Sequence, residues 1–307
     1  MRIFAVSILF LLLGSDIVAQ YDPDYEGRFN QNLDAVTTRE LIARDDLLYH
    51  SETAYTTYRG AGNVSLISES RVALSNKTEL STRLVADVAA PILLLKQLWY
   101  TDSRHKWYIS SKFNAQTAYP GYKIAQRQGY KWIADTSEVI PFVSEFGHEF
   151  LLTYAKRGDL NCTKGDAYLL FTFGIGTYFG VNFNTPNLKQ PRYHFLANRS
   201  TTMIDDGFLF RFKVWCDGII NNWLVLHGGV FLYSGTFTRP FAAEIHGEAE
   251  AFLLRTLSFK LGFVSSFANY ANIEERAYIL PMADISIYFG KKRNRDHSLF
   301  SPSGRLF

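Results

Sequence analysis

Cysteine is almost missing: Cys162 and Cys216 are the only two in 307 residues, so no disulfide framework holds this chain together. The two either pair with each other or stand as separate thiols at apolar sites. Long hydrophobic runs are missing as well. A membrane-spanning helix needs about 20 consecutive apolar residues, and only the N-terminus offers even half of that. With a mean hydropathy of -0.07, a polytopic helical membrane protein is excluded. Charge of one sign is scarce too, since 32 Lys and Arg face 29 Asp and Glu. The surplus sits at the end, where Lys291, Lys292, Arg293, Arg295 and Arg305 oppose only Asp296, leaving the remainder slightly acidic. A nucleic-acid partner wants basic residues spread along a face, so none is expected. Catalytic motifs are absent in turn: there is no Gly-x-Ser-x-Gly elbow, phosphate-cradling glycine loop or Cys-x-x-Cys pair.

What is present begins with a targeting segment. Arg2 supplies a charged start, Ile3 to Leu13 an apolar stretch broken only by Ser7, and Ile17-Val18-Ala19-Gln20 a small-residue exit. Residues 1–20 therefore read as a signal peptide cleaved after Ala19 or Gln20. Without a cysteine after the apolar stretch, lipid attachment there is not expected. Residues 21–60 form a polar N-terminal segment in which Asp34 to Tyr49 carries one possible helix. Residues 61–290 are the strand region, and residues 291–307 a basic C-terminal tail.

From Asn63 the hydrophobic period becomes two and stays so to about residue 290. Between Gly165 and Phe183, Phe171, Phe173, Ile175, Phe179 and Val181 share one face, with Thr172, Gly174, Gly176 and Tyr178 on the other. In Gly207 to Asp217, Phe208, Phe210, Phe212 and Val214 oppose Leu209, Arg211, Lys213 and Trp215. Phe241–Leu253, Leu257–Ser265 and Ala277–Phe289 follow, the last interrupted by Pro281. Further candidates are Asn63–Ala73, Thr78–Ala89, Ile92–Tyr100, Lys106–Thr117, Val139–Tyr154 and Asn222–Ser234, with Arg192–Ala197 a weaker one. The total is about ten to twelve strands, mostly joined by short hairpins; Tyr119–Ser137 and Thr185–Asp206 are longer polar connections.

Strand length selects the architecture. Strands of soluble sandwiches average about five or six residues, whereas about 9 to 11 tilted residues cross a bilayer, and several alternations here are longer than that. The pattern favours an all-β, antiparallel transmembrane barrel with its apolar face to lipid and its polar face to a lumen. A soluble sandwich with solvated carboxylates outside is the competing architecture. Trp99, Tyr100, Trp107, Trp132, Trp223, Tyr233, Tyr270 and Tyr288 lie near strand ends, where interfacial girdles or ordinary packing would place them.

Beyond the pattern, the signal ending Val18-Ala19-Gln20, the run Thr53-Ala54-Tyr55-Thr56 and the run Leu74-Ser75-Asn76-Lys77-Thr78-Glu79-Leu80-Ser81-Thr82 carry a resemblance. With them the sequence resembles the uncharacterised outer-membrane β-barrel proteins of Gram-negative bacteria. The resemblance implies residence in the cell outer membrane and brings no activity or catalytic residues with it. One departure is the basic tail past Gly290; Phe307 resembles a closing barrel aromatic, but Pro302 and Gly304 make a poor strand around it.

The densest ionisable cluster is Glu244, His246, Glu248 and Glu250, all on one face of one strand with successive groups about 7 Å apart. Lys260 on the next strand, and Arg211 and Lys213 two strands earlier, are the expected counter-charges of a lumen ion-pair ladder. A metal at His246 with Glu244 or Glu248 lacks a second imidazole in a ligand-spaced motif, so no metal and no cofactor are expected. His148 and His227 lack a serine at the spacing of lipid-hydrolysing barrels, and no catalytic set is assigned. Glycines at 174, 176, 180, 228 and 229 signal either lumen space or relief of crowding beside Tyr168, Tyr178 and Trp215. Expected partners are outer-membrane lipid and small solutes in the lumen; no residue pattern names a protein partner. The expected function is a small pore or a structural and interaction barrel. A lipid-modifying barrel enzyme and a secreted β-sandwich binding carbohydrate are the alternatives.

Overall fold

The computed structural model describes residues 52–290, except 58, 89, 103–105, 118, 129–141, 158–166, 184–206, 222, 236–237, 255 and 271–272. The signal segment, the helix expected over Asp34–Tyr49, the strand expected over Arg192–Ala197, Trp132, Cys162 and the tail lie outside the described residues. Short strands come first: β1 (Gly62–Ser65), β2 (Ser70–Ala73) and β3 (Thr78–Thr82). Taller ones follow in β4 (Ile92–Thr101), β5 (Trp107–Thr117), β6 (Val143–Arg157) and β7 (Ala167–Asn182). The wall is completed by β8 (Gly207–Asn221), β9 (Leu224–Gly235), β10 (Thr238–Leu254), β11 (Leu257–Tyr270) and β12 (Ile273–Phe289). Each strand pairs antiparallel with the next, and β12 returns to β1, so the sheet closes into a barrel. Closure into one sheet replaces the two-sheet sandwich of the competing reading.

Period-two patterning decides which side of the wall each residue takes. On β7, Phe173, Ile175 and Phe179 are about half exposed on the outside, while Leu170, Thr172 and Tyr178 are buried inside. On β8, Phe208, Phe210 and Val214 point outward, and Leu209, Arg211, Lys213 and Trp215 point inward. A one-residue slip would drive Arg211 and Lys213 into the outer wall, so the register is fixed by the charges as firmly as by the phenylalanines. Trp99, Tyr100, Trp107 and Trp223 are exposed at the barrel end that holds Gly60 and Gly290, as an interfacial girdle requires. Tyr233 and Tyr288 do not belong to a girdle: both are buried in the lumen, where their hydroxyls donate to Glu244 and Glu250.

Three local readings change. The stretch Asn63–Ala73 is a hairpin, because Asp284 takes the N–H groups of Leu66, Ile67 and Ser68 at 2.9–3.0 Å and turns the chain. Thr78–Ala89 stops at Thr82, where the side chain of Thr82 donates to Asp87 and a 3-10 turn follows at Ala86–Val88. The connection after β5 contains a helix, α1 (Tyr119–Arg127), with Pro120 in its first turn, where the missing N–H costs nothing.

Pro281 does not interrupt β12. Four register pairs, Gly62–Phe289 through Ser65–Ser286, join β12 to β1, so Pro281 sits where β12 has a strand neighbour on one side only. Proline is tolerated on such an edge. Closure at the other end of this seam needs Gly290, whose φ of 100° is left-handed and whose Cβ would lie 2.5 Å from the Ala61 Cβ.

Candidate functional site

The lumen is filled, and part of the filling is the N-terminal segment. Residues 52–57 enter it ahead of β1, and Glu52, Thr53, Ala54 and Thr57 are at most 1% exposed. Five wall strands hold them. The Ala54 N–H donates to Thr153 Oγ1 on β6 (2.8 Å), and Lys96 Nζ on β4 donates to the Tyr55 carbonyl (3.1 Å). Thr57 N–H donates to Glu79 on β3 (3.2 Å), and Lys213 Nζ on β8 donates to Glu52 Oε2 (2.7 Å). Tyr55 adds an edge contact to the Tyr108 ring at 5.2 Å. Backbone groups in a lumen have no ladder of their own, so wall side chains must satisfy them.

Around Glu52 lies the first of two charge clusters. Glu149 on β6 accepts from Arg211 Nη2 (2.8 Å) and Lys213 Nζ (3.2 Å). Glu69 accepts from Lys112 (2.9 Å), and Glu79 lies 3.2 Å from Lys96 and 4.0 Å from Arg71. All these groups are nearly inaccessible, so each charge depends on its partner rather than on bulk water. Gly174 belongs to the same design, since a Cβ there would meet the Lys213 stem at 2.6 Å. Likewise, Cβ atoms at Gly147 and Gly229 would strike Tyr178 at 2.2 Å and Trp215 at 2.5 Å. These glycines relieve crowding; they do not mark open space.

The second cluster joins β8 to β12. His227 Nδ1 is 2.5 Å from Asp217 Oδ1, and its Nε2 is 3.1 Å from Glu250 Oε2. Trp215 Nε1 donates to the same Asp217 oxygen at 3.0 Å, and Ser258 and Tyr288 donate to Glu250 Oε1. Lys260 Nζ stands 3.6 Å from Glu248 and 3.8 Å from Glu250. His227, Glu248 and Glu250 bring their ligand atoms within 4.8 Å of one another, a metal-compatible set. Both imidazole nitrogens are already engaged by carboxylates and an ammonium group balances Glu248 and Glu250, so the arrangement works as an ion-pair network.

The sequence-derived candidates divide between these clusters. Lys260 meets Glu248 and Glu250, while Glu244 pairs with His246 at 3.2 Å. Arg211 and Lys213 turn away from the β10 carboxylates toward Glu149 and Glu52. The histidine that bridges acids is His227, whereas His246 packs edge-on against Phe231 at 4.5 Å. His148 is on the outer wall, tilted against Phe113 at 4.5 Å, with Phe113 and Thr177 as its register partners. Among the described residues Cys216 has no disulfide partner, and Cys162 lies outside them. Glu149 carried a signal, because it alternates with Glu145 on one face of β6; Glu52 carried none.

An apolar outer wall around a polar, charged interior is the inverse of a soluble protein, and only lipid suits that exterior. The chain is a closed β-barrel with the exterior of a membrane protein. No protein-family model and no curated protein matches it. Among solved structures it is similar to OmpT, an outer membrane protein of Vibrio cholerae, both outer-membrane expressed and folded in vitro. Each likeness has a TM-score of 0.39 at 8% identity, covering 72% of this chain and 64% of that one. It is also similar to the outer membrane channel DcaP of Acinetobacter baumannii, with TM-score 0.36, 8% identity and coverage of 73% and 62%. The chain thus spans less than two thirds of the length of those barrels, at 64% and 62%.

A coupling test addresses the second cluster. Lys260→Met leaves Glu248 and Glu250 facing each other without their ammonium, which should lower unfolding stability by about 3 kcal/mol. Glu248→Gln added to it removes one of the stranded charges and should restore about 1 kcal/mol. Urea titrations of the two single variants and the double variant in detergent measure this; strict additivity would show that the groups do not interact.

Proposed function

We propose that this barrel is a small pore whose lumen is closed by its own N-terminal segment. The observation that carries the reading is the seat of Glu52, a carboxylate from outside the wall held on Lys112 and Lys213 in the lumen. A purely structural barrel has no need to thread a terminal segment through its interior. Ala54 and Tyr55 of that segment pack with Leu98, Tyr108, Leu151, Ala155 and Leu170, and the rest of its hold is hydrogen bonds and ion pairs, contacts that water and solute can replace. Small solutes are the passengers of this reading and outer-membrane lipid its surroundings.

Conductance tests it. In planar bilayers the purified chain should give rare, small openings, because the closed state is the stable one. Glu52→Gln removes the charge that anchors the segment to Lys213 and should raise open probability by about tenfold or more. Wild-type and Glu52→Gln barrels that behave alike, whether both silent or both fully open, would overturn the closed-pore reading.

A further inference from the structure

Five cations of the first cluster converge on too few wall carboxylates. Lys96 and Arg71 share Glu79, Arg211 and Lys213 share Glu149, and Lys112 has Glu69. Higher on β6, Glu145 accepts from the amides of Asn114 and Gln116. A fourth anion is Glu52, 2.7 Å from Lys213 and 3.7 Å from Lys112. Unlike the others, it belongs to a segment that reaches the site from outside the sheet. When that segment leaves, two ammonium groups on β5 and β8 keep their positions and lose the carboxylate between them. Lys112 then keeps Glu69 and Lys213 shares Glu149 with Arg211, so three cations face two carboxylates and the surplus positive charge calls for a replacement anion.

Resting on the closed-pore reading, we infer that Lys112 and Lys213 form a carboxylate-binding site of the lumen, for which Glu52 is the internal occupant. A small carboxylate solute takes the place of the Glu52 side chain, so the segment that closes the pore also competes with its cargo. The two ammonium groups select for charge and for the span of a carboxylate. The wall around them limits solute size, because Tyr178, Lys213 and Glu149 already fill the room left by Gly147, Gly174 and Gly176. Occupancy and opening are then one event, since solute and segment cannot hold the same two lysines together.

The probe is succinate, titrated calorimetrically into the purified full-length chain in detergent. Glu52→Gln should bind it at least about tenfold more tightly than the wild type, because the competing carboxylate is gone. Adding Lys112→Gln to Glu52→Gln should remove that gain. Absence of binding to Glu52→Gln, or equal binding by all three proteins, would overturn the site. Heat-modifiable gel migration establishes that each variant is folded. Should Glu52→Gln fail to fold, Thr153→Val releases the Ala54 N–H while leaving both lysines in place, and tighter succinate binding than wild type is again required. The two readings separate cleanly: succinate binding to a Glu52→Gln barrel with unchanged conductance retains the site and sinks the closed pore. A conducting Glu52→Gln barrel indifferent to succinate retains the pore and sinks the site.

Discussion

Replacing Glu149 by leucine should destabilise the barrel by about 3 to 5 kcal/mol, the largest loss expected from a single lumen residue. Glu149 is 1% exposed and is the carboxylate shared by Arg211 and Lys213, at 2.8 and 3.2 Å. Leucine fills the space but leaves both cations short of an anion. Lys213 keeps Glu52, whereas the Arg211 guanidinium is left above the Tyr178 ring at 4.8 Å, a cation–π contact worth far less than a buried ion pair. The penalty is thus mainly that of an uncompensated arginine. Adding Arg211→Met to Glu149→Leu removes that arginine and should restore more than half of the loss, since a well-packed apolar pair often equals a buried ion pair. Urea unfolding in detergent of the two single variants and the double variant decides it. If the double variant is as unstable as the two losses summed, Glu149 and Arg211 are not the coupled pair the geometry describes.

Much of the fold was legible because a barrel wall is a local object. Each of β4 to β12 has two chemically different sides, so the alternation of Phe171, Phe173 and Ile175 with Thr172, Gly174 and Gly176 suffices to place residues inside or outside. The legible part ends where long-range contacts decide. The hairpin between β1 and β2 exists because Asp284, more than 200 residues away, captures three consecutive N–H groups at Leu66 to Ser68. Pro281 reads locally as a strand breaker, and only the short reach of β1 reveals that it lies on an edge. The same limit explains the charge clusters. Lys260 and the β10 carboxylates are on adjacent strands, which the hairpin order brings together. Arg211 and Lys213 have partners on a strand to the other side and on a segment that is not in the sheet at all. No periodicity marks Glu52 as a lumen residue, because the segment that carries it has neither helix nor strand.

Phe173→Arg should cost about 2 to 4 kcal/mol, since Phe173 is 46% exposed on the outer face near the middle of β7, flanked in register by Leu152 and Val214. A guanidinium there meets hydrocarbon and the apolar side chains of Leu152 and Val214. The effect depends on depth, which supplies the control. Phe183, just past the end of β7 and 5.8 Å from the Phe142 ring, lies at the rim, where arginine can reach headgroups and water. Phe183→Arg should cost only about 0 to 1 kcal/mol. Thr172 cannot serve as a silent inward control. It is fully buried and shares a hydrogen bond with Thr153 at 2.7 Å, so an arginine there would overpack a filled lumen at about 1 to 3 kcal/mol. Refolding of the three variants into lipid vesicles, with stability read from urea titration, separates the two mechanisms. Thinner bilayers should relieve the cost at Phe173 by bringing the headgroups nearer, and should leave the cost at Thr172 unchanged. Equal costs at Phe173 and Phe183, insensitive to bilayer thickness, would mean that β7 does not cross the bilayer with Phe173 near its centre.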